Sequence, residues 1–383
     1  MLKKRFSFVG LFIACVTSCA ILLGVGAYWL NIHVGSASEL FKMVYTMQLI
    51  QQKFVGDVDR EQLYAGALRG MVKELGDPYS VYLDKKDYES LSTITEGHFG
   101  GVGIVLGMKD KKFIVVAPIE DTPAFRAGIK AGDQLLAIDG KELQDQDMMS
   151  VVGKIRGKDG SIVEVLVQTG TTAPRIVRIV RSEIKIKSVT GEMKDNDIGY
   201  IRISSFNEST ASDFAAKYHE LENQGMKGTV LDLRGNPGGL LWSGVGVAKL
   251  IVPKGPIVSV TEKDGSTLTE SSDLATVKYP MAVLVDNGTA SAAEIVAGAL
   301  QDTRAGKLFG TKTYGKGSVQ TVFKLGGNTA LKLTMAKYYT PSGRSINGVG
   351  IEPDELVEAN NERGTNQLEA ALVYIAQEIQ KGK

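Results

Sequence analysis

Cysteine and histidine are scarce in this 383-residue chain, and their scarcity excludes several kinds of site. The 2 cysteines, Cys15 and Cys19, both lie in the apolar N-terminal segment, so the rest of the chain has neither a disulfide framework nor a thiolate metal site. Only 3 histidines occur, and we interpret His98 and His219 as surface residues rather than catalytic ones. We therefore predict an activity that needs no metal and no cofactor.

The chain also lacks an excess of charge of either sign. Its formal net charge is +1 and its isoelectric point is near 7.6, so no general attraction to nucleic acid is expected. It has no internal repeats, no low-complexity tracts and no long Pro/Ser linkers. With 43% hydrophobic and 23% charged residues, the composition is that of an ordinary globular protein with two or three domains.

The N-terminus carries an apolar run behind a basic cluster. Lys3, Lys4 and Arg5 precede an uncharged run from Phe6 to Leu30, long enough as a helix to cross a bilayer of about 30 Å. Positive residues before such a run favour a cytoplasmic tip, with all that follows outside. We predict that residues 1–36 are the tip and a membrane anchor, and that the protein is a single-pass membrane protein whose remaining part is extracytoplasmic.

Two other readings of this segment remain open. It could be a signal peptide cleaved near the small residues Gly35-Ser-Ala37, although its apolar run exceeds the ~7–15 residues of such signals. Val16-Thr-Ser-Cys19 resembles a lipoprotein box, but the apolar residues continue through Leu30. All three readings place the part of the chain after this segment, including any active site that it carries, outside the cytoplasm.

The following region, residues 38–95, reads as a helical cap. From about Leu40 to Leu91, apolar residues recur largely at the i, i+3 and i+4 spacing of amphipathic helices. The second helical stretch, starting at Gln62, ends at Gly76-Asp-Pro78, a typical helix stop. Such a cap could form a homodimer.

Residues 96–187 show short alternating strands, glycine turns and a helix from about Gln146 to Ile155. This pattern resembles a PDZ domain, a small β-sandwich or barrel with helices, and Gly101-Val102-Gly103-Ile104 resembles its carboxylate-binding loop. Consecutive backbone N–H groups in such a turn form an anion-binding nest. A peptide C-terminus would then add as a strand beside Ile104 to Leu106, with Val151 or Val152 lining the groove.

Residues 188–358 alternate strands and helices, which is typical of an α/β core with a mixed sheet. The strands near Val319–Leu325 and Ala330–Tyr338 are predicted to be antiparallel. Residues 359–383 are predicted to contain one amphipathic C-terminal helix, from Gln367 to Ile379. The fold class is thus α+β and multidomain.

Two motifs in this core carry the chemistry. Ser291 lies in Thr-Ala-Ser-Ala-Ala-Glu, between a strand and a helix, and Lys316 follows in Tyr-Gly-Lys-Gly-Ser-Val-Gln. A serine hydroxyl needs a base, and a lysine whose pKa is lowered can serve in a Ser–Lys pair. Together with the upstream Asp-Leu-Arg-Gly-Asn-Pro-Gly-Gly (232–239), these strings resemble the C-terminal processing peptidases, or tail-specific proteases.

The resemblance implies roles for individual residues. Ser291 would be the nucleophile, Lys316 the general base, and Gln320 would orient the lysine amine. The backbone N–H of Ala292 and that of Gly238 or Gly239 would form the oxyanion hole. The substrates would be proteins or peptides with free apolar C-termini.

Several readings compete with this assignment. Ser291 alone would be a helix N-cap with Glu294 completing a capping box, and Lys316 alone a solvated loop residue. Residues 310–317 are one Ser/Thr short of a nucleotide-binding P-loop, which would also have to open a helix. Ser182 and Lys185 have the S-x-x-K spacing of penicillin-binding enzymes without their partner motifs. A catalytically silent PDZ scaffold is a further alternative.

Overall fold

The protein folds into two compact units, Met1–Pro78 and Tyr79–Lys383. The computed structural model describes residues 8–33, 37–109, 111–144, 146–361 and 363–382. In the first unit the helices are α1 (Phe8–His33), α2 (Ala37–Lys53) and α3 (Arg60–Lys73). The carboxylate of Asp59 caps α3, because it accepts the N–H groups of Glu61 and Gln62.

The predicted membrane-spanning helix is not supported by this structure. Helix α1 has 26 residues, but within the described ranges no helix is both long and apolar enough to cross a bilayer. The basic cluster at residues 3–5 lies outside the described residues, as do Gly35 and Ser36 of the suggested cleavage site.

The second unit begins with β1 (Val81–Leu83) and α4 (Lys85–Glu96), followed by a PDZ fold. The elements of this fold are β2 (His98–Gly101), β3 (Ile104–Lys109), β4 (Lys112–Pro118), α5 (Pro123–Arg126), β5 (Asp133–Ile138), β6 (Lys141–Glu142), α6 (Met148–Ile155), β7 (Ile162–Thr169), β8 (Arg175–Val180) and β9 (Ser182–Lys185). The main sheet has the order β3-β4-β5-β7-β8, with β6 beside β5, while β2 pairs with β9. The strands and the helix predicted for this region are present.

The PDZ sheet buries one of its faces. In β7, Val163, Val165 and Val167 are fully buried and alternate with more exposed residues. This period of two is the pattern of an antiparallel sheet with one face toward a core. Val151 of α6 belongs to the same core.

The remaining residues form an α/β core. Its elements are β10 (Val189–Lys194), β11 (Ile198–Ile203), α7 (Thr210–Asn223), β12 (Gly228–Asp232), α8 (Leu241–Ile251), β13 (Gly255–Glu262), β14 (Thr267–Ser272), β15 (Met281–Val285), α9 (Ala292–Asp302), β16 (Lys307–Gly310), β17 (Ser318–Gly326), β18 (Thr329–Tyr339), β19 (Glu355–Leu356) and α10 (Thr365–Lys381). The main sheet runs β10-β11-β12-β15-β16-β19. Only β10 joins it antiparallel, so the predicted mixed sheet is confirmed.

The main sheet of the core is covered on both faces. Every residue of β12 and β15 is buried. One face packs against α7, α8 and α9, and the other packs against α10 through Ala371 and Ile375. Strands buried on both faces read as continuous apolar runs, which is typical of parallel sheets.

A second sheet of the core is antiparallel, with the order β1-β18-β13-β14 and β17 paired to β18. The antiparallel prediction for the last two long strands is thus confirmed. Strand β1 lies within the stretch that was predicted to be helical, and it pairs with β18 from Val81 to Leu83. The reason is tertiary: a strand of three residues leaves no periodic signal in the sequence.

Candidate active site

The carboxyl ends of two neighbouring parallel strands define the site. The loop after β12 carries residues 233–239, and the loop after β15 leads to Ser291. The two loops are hydrogen-bonded to each other, since the N–H of Ala290 donates to the carbonyl of Asn236 (2.9 Å) and the N–H of Gly235 donates to Asp286 Oδ1 (2.8 Å). Sites in open α/β sheets occur at this edge.

Ser291 has a backbone conformation that L-residues rarely adopt. Its φ is +56° and its ψ is −119°, a region normally occupied by glycine. Holding a non-glycine residue there costs on the order of 1–3 kcal/mol. The residue directly precedes α9, whose N-terminus supplies partial positive charge. Strain of this kind at the start of a helix is an observation in favour of a functional serine.

Glu294 joins the serine helix to the lysine loop. Its side chain is fully buried, and its Oε2 atom accepts the N–H of Ser291 (2.8 Å) and the N–H of Lys316 (2.9 Å). Its Oε1 atom accepts the hydroxyl of Thr313 (2.6 Å) and the N–H of Gly315 (2.8 Å). The predicted nucleophile and base are thereby held to a common anchor although they lie 25 residues apart.

Lys316 is half-buried in a tight glycine loop. A Cβ atom on Gly315, whose φ is +89°, would lie 2.7 Å from the N atom of Gly350, and one on Gly317 would lie 2.7 Å from the N atom of Asn347. Only glycine fits at both positions. The ammonium group of Lys316 lies 4.9 Å from the ring centroid of Tyr79, within the range of a cation–π interaction.

Tyr338 touches the backbone of both motifs. Its hydroxyl lies 3.1 Å from the carbonyl oxygen of Ser291 and 2.5 Å from that of Lys316. Burial, reinforced by the nearby Glu294, raises the pKa of Tyr338 well above its ordinary value. The hydroxyl therefore keeps its proton at neutral pH and can donate it to these carbonyls.

Of the two candidate oxyanion glycines, Gly238 packs against Ser291 and Ala292. A Cβ atom on Gly238 would lie 2.7 Å from Ser291 Cβ and 2.9 Å from the N atom of Ala292, so only glycine lets the loop approach this closely. The N–H of Gly238 donates to Asn236 Oδ1 (2.8 Å). On Gly239 a Cβ atom would lie 2.0 Å from the carbonyl oxygen of Phe206. Which glycine supplies the oxyanion donor stays a prediction.

Gln320 lies in β17, four residues after Lys316. Its amide nitrogen donates to Ser318 Oγ (2.9 Å) and to Thr334 Oγ1 (3.2 Å). These two hydroxyls fix the side chain on the sheet. Its predicted role toward the lysine amine stays a prediction.

The predicted carboxylate-binding loop lies between β2 and β3. Gly103 has φ +79°, and a Cβ atom there would lie 2.3 Å from Thr122 Cβ. Val102 is fully buried, and its carbonyl accepts the N–H of Ala124 (2.8 Å). Strand β3, which begins at Ile104, is an edge strand of its sheet. Gly101 pairs with Ser182 of β9. An edge strand beside such a loop is the arrangement that β-strand addition requires.

A buried ion-pair network supports the loop after β12. The carboxylate of Asp232 accepts the Nε (3.0 Å) and Nη2 (2.6 Å) groups of Arg234 and the hydroxyl of Tyr200 (2.7 Å). Burial alone would raise the pKa of Asp232, but the bonds and charge of Arg234 outweigh it and hold the pKa below its ordinary value. Burial, together with Asp232, raises the pKa of Tyr200 to about 12. Arg234 Nη1 also donates to the carbonyl of Gly364 (2.8 Å), before α10.

Sequence reasoning missed the connecting residues of the site. Glu294 was visible only as the third position of a capping box, and nothing in the sequence indicated its three bonds to the lysine loop. Tyr338 and Tyr79 carried no signal, because each reaches the site from a distant strand or turn. The Asp232–Arg234 pair was visible only as part of the motif 232–239.

Other predicted and alternative sites lie elsewhere. Lys316 is followed by strand β17 rather than by a helix, so the P-loop alternative has no support. Ser182 and Lys185 both lie in strand β9. Over the described part of the chain, no group of three or more His, Cys, Asp and Glu side chains could hold a metal ion.

Comparisons with known proteins agree with this architecture. The family model described as peptidase family S41 matches residues 197–357, a PDZ domain model matches residues 114–169, and the N-terminal domain model of activating protease CtpB matches residues 31–87. The chain is 39% identical to a carboxy-terminal-processing protease of Bartonella bacilliformis over 94% of this chain and 83% of the relative. It is 41% identical to carboxy-terminal processing protease CtpB of Bacillus subtilis over 82% and 66%, respectively.

One solved structure shows the same fold. A protein of Bacteroides fragilis described as a putative S41 protease superposes with a TM-score of 0.51 at 17% identity, covering 87% of this chain and 97% of that one. With a PDZ domain, a peptidase core and relatives of this identity and coverage, the chain belongs to peptidase family S41, the carboxy-terminal processing proteases, and is a serine-type peptidase.

Proposed function

We propose that the protein is an endopeptidase that recognises protein C-termini through its PDZ domain and cleaves by a Ser291–Lys316 dyad. The observation that carries this proposal is the common anchor: one buried carboxylate, that of Glu294, bonds to the N–H groups of both residues. The strained backbone of Ser291 adds support.

The chemistry follows from these groups. Lys316, as a neutral amine, takes the proton of the Ser291 hydroxyl. At the same time the Ser291 oxygen attacks the carbonyl carbon of the scissile bond. The resulting oxyanion is stabilised by the N–H of Ala292 and by a glycine N–H of the 238–239 pair. Collapse expels the amine product, which receives the proton from Lys316. Water, deprotonated by Lys316, then attacks the acyl-enzyme, and the Ser291 oxygen leaves as a hydroxyl with the proton that Lys316 returns.

Substrate selection is proposed to occur in the PDZ domain. The nest at Val102, Gly103 and Ile104 would hold a terminal carboxylate, and the groove between β3 and α6 would take an apolar last side chain. Because Val151 is buried in the domain core, the half-buried Val152 is the better candidate for lining this groove.

Two substitutions test the dyad. Ser291→Ala and Lys316→Ala should each abolish cleavage of a protein substrate, because nucleophile and base act as one unit. Mass spectrometry measures the products, circular dichroism reports the fold, and peptide binding to the PDZ domain should persist in both variants. Substantial cleavage by folded Lys316→Ala would contradict the dyad. Peptide binding without any cleavage by the wild-type chain would instead indicate a scaffold.

We further propose that cleavage takes place outside the cytoplasm and that the N-terminal segment directs export. The support is the basic cluster and the uncharged run behind it. A fusion of residues 1–37 to alkaline phosphatase, which is active only after export, should be active in cells. An inactive phosphatase fusion would argue against export. A homodimer through the helical N-terminal unit stays a prediction, and sedimentation of the full chain measures it.

A further inference from the structure

Two buried side chains hold the backbones of Ser291 and Lys316 through opposite ends of their peptide groups. Glu294 Oε2 accepts the N–H groups of both residues, and the hydroxyl of Tyr338 is within hydrogen-bond distance of both carbonyl oxygens. Both side chains are almost completely buried, with exposed fractions of 0% for Glu294 and 1% for Tyr338. We refer to Glu294 and Tyr338 as the clamp.

Helix capping does not account for Glu294. A glutamate at the third helical position needs only to reach back to the N-cap N–H, and it can do so at the protein surface. Here the carboxylate is buried, which is costly unless its lone pairs are hydrogen-bonded. Three of its four bonds go to the segment Thr313–Lys316, and Thr313 in turn accepts the N–H of Ile351 (2.7 Å). Its bonds therefore serve the contact between two segments.

Tyr338 reaches the same contact from a different direction. It lies near the end of β18, which pairs with β1, β13 and β17 of the antiparallel sheet. Its hydroxyl has one proton and faces two carbonyl oxygens, so both acceptors must lie close together to share it. Any widening of the gap between Ser291 and Lys316 would break at least one of these interactions.

We propose that Glu294 and Tyr338 are positioning residues that set the separation of nucleophile and base. This inference rests on the proposed Ser291–Lys316 dyad. On Ser291 and Lys316 the two clamp side chains bond to backbone atoms, so they leave the Ser291 hydroxyl and the Lys316 amine to the reaction. Such a constraint matters because a displacement of about 1 Å between reacting groups can cost on the order of 10²-fold in rate.

Glu294→Gln tests the carboxylate arm of the clamp. The amide keeps the volume of the side chain but replaces one oxygen by an NH₂ group, which would face two hydrogen-bond donors instead of accepting from them. We expect kcat to fall by on the order of 10²-fold, with KM close to the wild-type value. The acidic limb of the pH–rate profile should also move to higher pH, because a loosened loop hydrates the lysine and raises the pKa of the base.

Tyr338→Phe tests the hydroxyl arm. It removes one oxygen atom and leaves the packing of the ring unchanged. We expect a smaller fall in kcat, about tenfold, with a shift of the acidic limb in the same direction. If Glu294→Gln fails to fold, Tyr338→Phe alone still tests whether the clamp positions the nucleophile and the base.

The controls are Glu222→Gln and Tyr218→Phe on α7. Glu222 is a paired carboxylate bonded to His219 and Lys278, and Tyr218 is a buried tyrosine. Both should keep wild-type kcat and the wild-type pH profile. All variants are made in the full chain and measured with a quenched fluorescent peptide that ends in a free alanine. A covalent serine-directed titrant counts the active sites, so that kcat refers to folded enzyme.

The outcomes separate the clamp from the dyad. Lower kcat per titrated site with a shifted acidic limb in the clamp variants, but not in the controls, supports the inference. Wild-type kcat and pH profile in folded Glu294→Gln and Tyr338→Phe would overturn it, and so would a mere loss of titratable sites with unchanged kcat and pH profile. If Ser291→Ala retains cleavage, the dyad itself fails, whatever the clamp variants do.

Discussion

The two sheets that matter for function, in the peptidase core and in the PDZ domain, are built in opposite ways. In the core, strands β12 and β15 are buried on both faces and end in loops that are hydrogen-bonded to each other. In the PDZ domain one face is buried and β3 is left as an edge strand. The core thus offers fixed backbone atoms at strand ends, which suits catalysis, whereas the PDZ domain offers an edge that a peptide can extend. Substitutions in the core should therefore change stability or cleavage, whereas changes that affect the PDZ domain or the peptide end that it binds should change recognition.

The largest effect is expected from Asp232→Asn at the end of β12. The change leaves Arg234, whose side chain is only 11% exposed, without the buried carboxylate that neutralises it, and breaking a buried pair costs about 3–5 kcal/mol. Urea unfolding of the peptidase core should show this loss. The matched control is Asp197→Asn, which removes the exposed pair with Lys227 and should cost about 1 kcal/mol or less. Equal free energies of unfolding for the two variants would contradict the claim that the Asp232–Arg234 pair stabilises the fold more than the exposed pair does.

The same network gives the sign of a pH effect. The pKa of Asp232 is lower in the folded protein than its ordinary value, so its contribution to stability is fully present above the pKa of the unfolded chain, about 4. That contribution is lost as the pH falls through the lowered folded pKa. Urea midpoints of wild type and Asp232→Asn should differ most at neutral pH and converge in acid. A gap that widens in acid would refute this linkage.

Gly238→Ala should act on cleavage without touching recognition. Its Cβ atom would lie within 3 Å of atoms of Ala290, Ser291 and Ala292, and the residue would have to keep a φ of +94°. Displacing an oxyanion donor costs on the order of 10²–10³-fold in kcat. Steady-state kinetics and a peptide-binding titration on the same sample measure the two functions, and an equal loss of both would contradict their separation. Gly265→Ala is a matched control, since its φ is +87° with nothing within 4 Å of the added Cβ.

Modifying the substrate should affect recognition first. Amidating the C-terminus of a peptide removes the charge that the nest at residues 102–104 would hold, so binding should weaken and cleavage should slow. The expected loss is about 1.5–3 kcal/mol, the range for a hydrogen bond to a charged group. Calorimetry and product analysis compare the two peptides. Identical cleavage of acid and amide would rule out carboxylate recognition.

The smallest effects are expected from histidine substitution and metal chelation. The side chain of His219 is 67% exposed and pairs with Glu222 on α7, and His98 lies in β2 beside Glu183. His98→Asn and His219→Asn should leave kcat unchanged within error, and a chelator should have no effect. Loss of cleavage activity on adding a chelator to a truncated chain that begins near Ser38 would contradict the metal-free mechanism.

The sequence by itself determined a large part of this description. Three signals are local: the serine helix, the lysine between glycines and the loop 232–239. A turn that tolerates only small residues is formed by residues adjacent in the sequence, so it can be recognised there. Apolar strands such as β15 and alternating strands such as β7 were predictable for the same reason, since their periodicity is local.

Only the tertiary structure decided how these signals combine. Glu294 looked like an ordinary cap, and its burial follows from a loop about twenty residues downstream. Tyr338, Tyr79 and the three-residue strand β1 reach their places through contacts between segments far apart in the chain, which no local pattern records. The strain at Ser291 likewise appears only once β15, α9 and the loop of Gly238 are packed together, because backbone strain persists only where the surrounding contacts hold it.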